Sequence, residues 1–181
     1  MQNFFSTLII GHFLIFLDIN IGIDWLPDFV GFFLMAAAFG KLEHFEGSVV
    51  AKWLAILLGT IIIIYMFTIS SLQQDLSLGW TLLGLGNALL SLSFYYYLFR
   101  VCLQIARPIG QEAYTKKIKY LFLTVLFIVA ITPEVFTHSS SIAGGVAAIF
   151  LLVAVLFAYV MLIIYFFNMK GQNYIETDVL A

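Results

Sequence analysis

Between Trp53 and Leu72 the chain reads WLAILLGTIIIIYMFTISSL, 20 residues without a charge. At 1.5 Å per residue, a helix of about 20 residues crosses the ~30 Å hydrocarbon core of a bilayer. Two further runs meet the same demand. Leu78–Phe99 is interrupted only by Asn87 and a few hydroxyls, and Ile142–Phe167 is long enough to span with tilt. Composition points the same way: 63% of the 181 residues are hydrophobic and 10% are charged, with a mean hydropathy of +1.07. Soluble domains run at about 45–50% apolar and about 25% charged, so the excess has to face lipid. The sequence predicts an all-α integral membrane protein.

The remaining apolar stretches complete a bundle of six spans. Asn3–Ile19 is near the lower length limit, and the N-terminal MQNFFSTLII lacks the basic and small-residue features of a secretory signal, so it is expected to stay as a first helix. Tyr120–Phe136 spans if it begins inside the basic segment ahead of it, and Pro133 then ends it. Phe29–Gly40 alone is too short. It reaches 18 residues, Trp25–Leu42, if Asp24 is the N-cap, Trp25 sits at the interface, Pro27 falls in the first turn and Asp28 lies near the positive end of the helix dipole. The expected spans are 3–19, 25–42, 53–72, 78–99, 118–136 and 142–167, in one domain without linker or internal repeat.

Charge supports that threading. Lys41 and Lys52 fall between the second and third spans; Arg100, Arg107, Lys116, Lys117 and Lys119 between the fourth and fifth; Lys170 in the tail. These are all eight lysines and arginines, on one side. The other side carries Asp18, Asp24, Asp28, Asp75 and Glu134 and no basic residue. Basic excess marks the cytoplasmic face, so both termini are expected in the cytoplasm.

Polar residues inside lipid are costly and are the candidates for function. His12 lies near the middle of the first span. It is either a proton carrier or ligand contact, or a neutral imidazole hydrogen-bonded to another helix. Asp18 ends that helix, where the dipole disfavours an anion. With Asn20, Asp24 and Asp28 it surrounds a turn that is either a cation or solute mouth or simply a capped reversal. The stretch DINIGID has the first spacings of a calcium loop but lacks its later oxygen ligands and glycine. Gly84, Asn87, Ser91 and Tyr95 form a small and polar stripe on the fourth span, suited to close helix packing or to lining a solute path. Ala143, Ala147, Ala154 and Ala158 form a packing stripe on the sixth. The basic segment RVCLQIARPIGQEAYTKKIK sets topology and suits anionic lipid or a cytosolic partner.

Enzyme signatures are absent. KLEHFE lacks the second histidine of HExxH, and no nucleophile elbow, P-loop or dinucleotide fingerprint occurs. A single cysteine, Cys102, excludes an internal disulfide, and three scattered histidines predict no zinc cage. No metal, cofactor or nucleic acid is expected.

The stretch IDWLPDFVGF, Ile23–Phe32, resembles a motif of small multispanning membrane proteins of Gram-positive bacteria that have no assigned activity. That resemblance implies a bacterial plasma membrane and carries over no site residue. In size and six-span topology the chain is also similar to the substrate-binding subunits of energy-coupling vitamin transporters. The expected function is solute binding or transport, alone, as a homo-oligomer, or as a membrane subunit of a transport complex. The alternative is a non-transporting interaction factor for assembly, immunity or regulation. His12, Asp18 and Asn87, with Asp24 and Asp28 at the mouth, are the expected ligand contacts.

Overall fold

A computed structural model describes residues 2–18, 28–69, 77–132 and 142–179. Among them lie six helices and no strand: α1 (Gln2–Asp18), α2 (Asp28–Gly40), α3 (Ser48–Ile69), α4 (Ser77–Ala106), α5 (Glu112–Ile131) and α6 (Ile142–Val179). Each helix packs on its neighbours in the chain, and α6 closes the ring against α1.

The buried faces follow helical periodicity. On α1 they are Phe4, Phe5, Leu8, Gly11, His12 and Ile15, while Ile10 and Phe13 point out. On α4 Phe94, Tyr95, Leu98, Phe99 and Cys102 turn inward. The core is aromatic: Phe94 meets Phe32 and Phe39 edge-on at 5.8 and 6.1 Å, Phe4 meets Phe39 at 5.4 Å, and Tyr95 packs on Phe122 at 4.6 Å. Helix α6 is apolar on every side as far as Phe167. Ala158, Leu162, Tyr165, Phe166 and Met169 face in, and Phe150, Phe157, Ile164 and Phe167 are bare. Phe150 is 72% exposed. Apolar surface of this extent is a surface for lipid or a partner.

Exposed hydroxyls bond back onto the helix backbone. Thr7, Thr60, Ser93 and Thr132 each donate to the carbonyl four residues earlier in their own helix, at 2.6–2.8 Å. Two helical stretches, Gly84–Ala106 and Ile149–Gln172, are long and apolar enough among the described residues to cross a membrane. Asn3–Ile15, Asp28–Gly40 and Ser48–Ile64 are shorter apolar helices.

Helices α4 and α5 run further than the apolar windows 78–99 and 118–136. Hydropathy marks where lipid ends, but a helix continues until its backbone ladder is broken. The break comes at Arg107-Pro108-Ile109-Gly110. Pro108 has no N–H, and Gly110 takes φ +69°. Gly110 N donates to Arg107 O (3.2 Å) and Gln111 N to Ala106 O (2.9 Å), the paired bonds of a Schellman cap. The expected basic loop thus shrinks to a five-residue turn, 107–111, with most of its cations on helices. Likewise α3 begins at Ser48, whose hydroxyl donates to the Phe39 carbonyl (2.8 Å) and satisfies the end of α2.

All eight basic residues lie at one end of the bundle, which is also tied together by polar contacts. Gln104 on α4 clasps the backbone of Glu46: its amide donates to Glu46 O (2.8 Å) and its carbonyl accepts from Glu46 N (3.1 Å). Arg100 adds an ion pair with Glu46, and Lys52 pairs with Glu43 at 2.9 Å. At the α4–α5 turn, Lys116 donates to Glu112 (2.9 Å) and, helped by Arg107, holds that carboxyl below the usual carboxylate range. Sequence reading had no means of finding the Gln104 clasp, since a lone glutamine carries no pattern.

Candidate solute-binding site

The polar stripe of α4 opens onto a cavity of about 390 Å³ between α4, α5 and α6. Gly84, Asn87, Ser91 and Tyr95 all line it. Opposite stand Val125, Leu126 and Val129 of α5, and Val155, Ala158 and Tyr159 of α6. Phe32 of α2 adds a fourth side. Asn87 and Tyr95 are two turns apart, about 12 Å along the helix. The cavity therefore occupies the half of the bundle away from the basic end.

Close packing does not explain Gly84. A Cβ built on Gly84 meets nothing within 4 Å among the described residues. The contrast is Gly11 against Gly31, where α1 and α2 truly touch: a Cβ on Gly31 would lie 2.5 Å from the Gly11 carbonyl oxygen. Asn87 leaves its Oδ1 buried with no hydrogen-bond partner among the described residues. A buried amide oxygen in that condition is destabilising by roughly 1–3 kcal/mol.

Tyr95 and Tyr159 form the floor, their hydroxyls 3.3 Å apart. Asp28 opens α2, where the helix dipole favours a carboxylate. Behind the floor sits His12, fully buried between Tyr95 (5.7 Å) and Phe166 (5.2 Å). Its Nδ1 bonds to the Leu8 carbonyl of its own helix at 2.8 Å, and Nε2 has no hydrogen-bond partner among the described residues. Of the two readings offered for His12, the neutral imidazole bonded across to another helix finds no such bond among the described residues: the rings of Tyr95 and Phe166 fill the space on either side, and the Tyr95 hydroxyl is engaged with Tyr159.

His12→Phe is therefore expected to keep the fold and to raise stability by about 1 kcal/mol, since Leu8 O keeps its own helical partner and a stranded ring nitrogen disappears. A thermal melt in micelles checks this. A large loss of stability would mean that Nε2 has a structural partner; a solute-handling defect in a protein that melts normally would make His12 functional.

The structure thus lines one cavity with Asn87 and the Tyr95–Tyr159 pair and sets His12 behind that pair, while Asp28 stands one turn before Phe32 at the start of α2. Asp18 closes α1, but its side chain, like Asn20 and Asp24, lies outside the described residues, as do Asp75, Glu134, His138 and the side chains of Ala143 and Ala147. Tyr159 and the Gly11–Gly31 crossing escaped sequence reading. A glycine inside each of two apolar helices was the available signal for the crossing. No cluster of three or more metal-ligating residues occurs among the described residues. No protein-family model, no curated protein and no solved structure matches this chain.

Proposed function

We propose that this chain is a six-span protein of a bacterial plasma membrane, with its basic end and both termini in the cytoplasm. In this reading it binds a small solute in the cavity of α4, α5 and α6, as a carrier or as the membrane subunit of a transport complex, and catalyses no covalent reaction. The observation that carries the reading is a cavity lined by Gly84, Asn87 and Ser91 on α4 and by apolar and aromatic side chains on its other walls, with the Asn87 amide oxygen buried and unsatisfied among the described residues. Such a site suits a compact solute with an apolar body and at least one hydrogen-bond donor. Ion placement supports the orientation, and the bare aliphatic surface supports immersion in lipid.

Gly84→Leu tests the site without straining the fold. The new side chain enters open space, and the helix gains about 1 kcal/mol by losing a glycine. Native mass spectrometry of protein extracted from its own host membrane should find a small molecule retained by the wild type and absent from Gly84→Leu. If both retain only lipid, or both retain the same solute equally, the cavity is not the binding site. Co-purification of another membrane protein in that case would favour the interaction-factor alternative.

A further inference from the structure

A second concavity, an open groove of about 490 Å³, lies between α4 and α5. It grades along its length. Tyr96, Tyr97 and Tyr120 line its upper part, toward the basic end, and Leu92, Leu123 and Phe127 line the lower. Ser93, also in the wall, already spends its hydroxyl on the Leu89 carbonyl, which leaves the exposed Thr124 hydroxyl as the polar group of an otherwise apolar lower part. Lys119 stands at the head with Nζ 4.4 Å from the Tyr96 ring centroid. Lys52, Arg100, Arg107 and Lys116 are each paired with a glutamate, whereas Lys119 takes part in none of the four ion pairs among the described residues. Its charge is thus held by an aromatic ring and left open to an anion.

A cation and phenolic hydroxyls above, and an aliphatic trough below, match the two ends of one molecule. We propose that this groove holds an anionic glycerophospholipid of the leaflet at the basic end. Its phosphate sits by Lys119 and the hydroxyls of Tyr97 and Tyr120, and an acyl chain lies over Leu123 and Phe127. The proposal rests on the membrane reading alone, since neither Lys119 nor Thr124 lines the α4–α6 cavity.

The test titrates the purified full chain in micelles with phosphatidylglycerol and phosphatidylcholine of equal chain length, counting bound lipids by native mass spectrometry. The wild type should retain one phosphatidylglycerol with about fivefold preference, the scale of one lysine at an anionic surface. Lys119→Gln should abolish that preference. Lys116→Gln removes the same charge from a residue tied to Glu112 and should keep it. Thr124 is exposed in the groove wall, and Thr124→Trp should expel the lipid without disturbing the fold. Equal selectivity in the wild type and Lys119→Gln, an equal loss in Lys116→Gln, or unchanged retention in Thr124→Trp would leave only annular lipid and overturn the proposal.

Discussion

Gly31→Leu should leave no stable folded population in micelles, and Gly31→Ala should lower the melting temperature measurably. At this crossing α1 and α2 are separated by backbone alone. A Cβ on Gly31 would stand 2.5 Å from the Gly11 carbonyl oxygen and 2.7 Å from Cγ1 of Ile15, and one on Gly11 would stand 2.8 Å from Cγ of Met35. A carbonyl of a rigid helix cannot swing aside, so one added carbon forces the helices apart. Overpacking of this kind destabilises by about 1–3 kcal/mol for a methyl-sized excess. Leucine adds three more carbons, and a loss above ~4 kcal/mol is expected from so specific a packing failure. Far-UV circular dichroism during heating measures it. Gly171→Ala is the control, because a Cβ there meets nothing within 4 Å among the described residues. If Gly31→Leu melts with the wild type, α1 and α2 do not cross at these glycines.

Phe94→Ala should cost about 3 kcal/mol, the lower end of the range for deleting a buried phenyl. Phe94 is fully buried where α2 and α4 meet, edge-on to Phe32 and Phe39. The lower end applies because, for a protein immersed in lipid, the exposed alternative is as apolar as the core. The transfer part of the loss shrinks, while the cavity and the forfeited dispersion contacts remain. Phe150→Ala removes the same ring from a 72% exposed position and should change stability by no more than about 0.5 kcal/mol. Equal melting temperatures for the two variants would mean that the aromatic cluster does not hold the bundle together. Phe94 also backs Tyr95 at 5.1 Å, so a collapse there would loosen the floor of the cavity between α4, α5 and α6.

Several features of the fold were legible along the chain because run length and hydropathy are constraints that run in one dimension. A backbone in apolar surroundings must satisfy itself locally, so long uncharged runs become helices, and the described residues are helical throughout apart from short turns. The Pro108 and Gly110 pair sat in plain view as a break, although reading the apolar window alone set the end of α4 at Phe99. Of the candidate site, Asn87 and Tyr95 were visible as members of one helical face. Tyr159, their partner from 64 residues further on, was not.

The sequence by itself determined the helical class and the gathering of all eight cations at one end, since length and charge are counted residue by residue. The tertiary structure alone decided what each face of each helix meets. Phe94 and Phe150 are the same residue in equally apolar surroundings, yet one is 0% exposed and the other 72%. Gly84 and Gly31 are both glycines in apolar helices, yet one borders a cavity and the other touches a backbone. Hydropathy cannot separate them. Both faces of such a helix are about equally apolar, so only the shapes of neighbouring helices determine which side faces in.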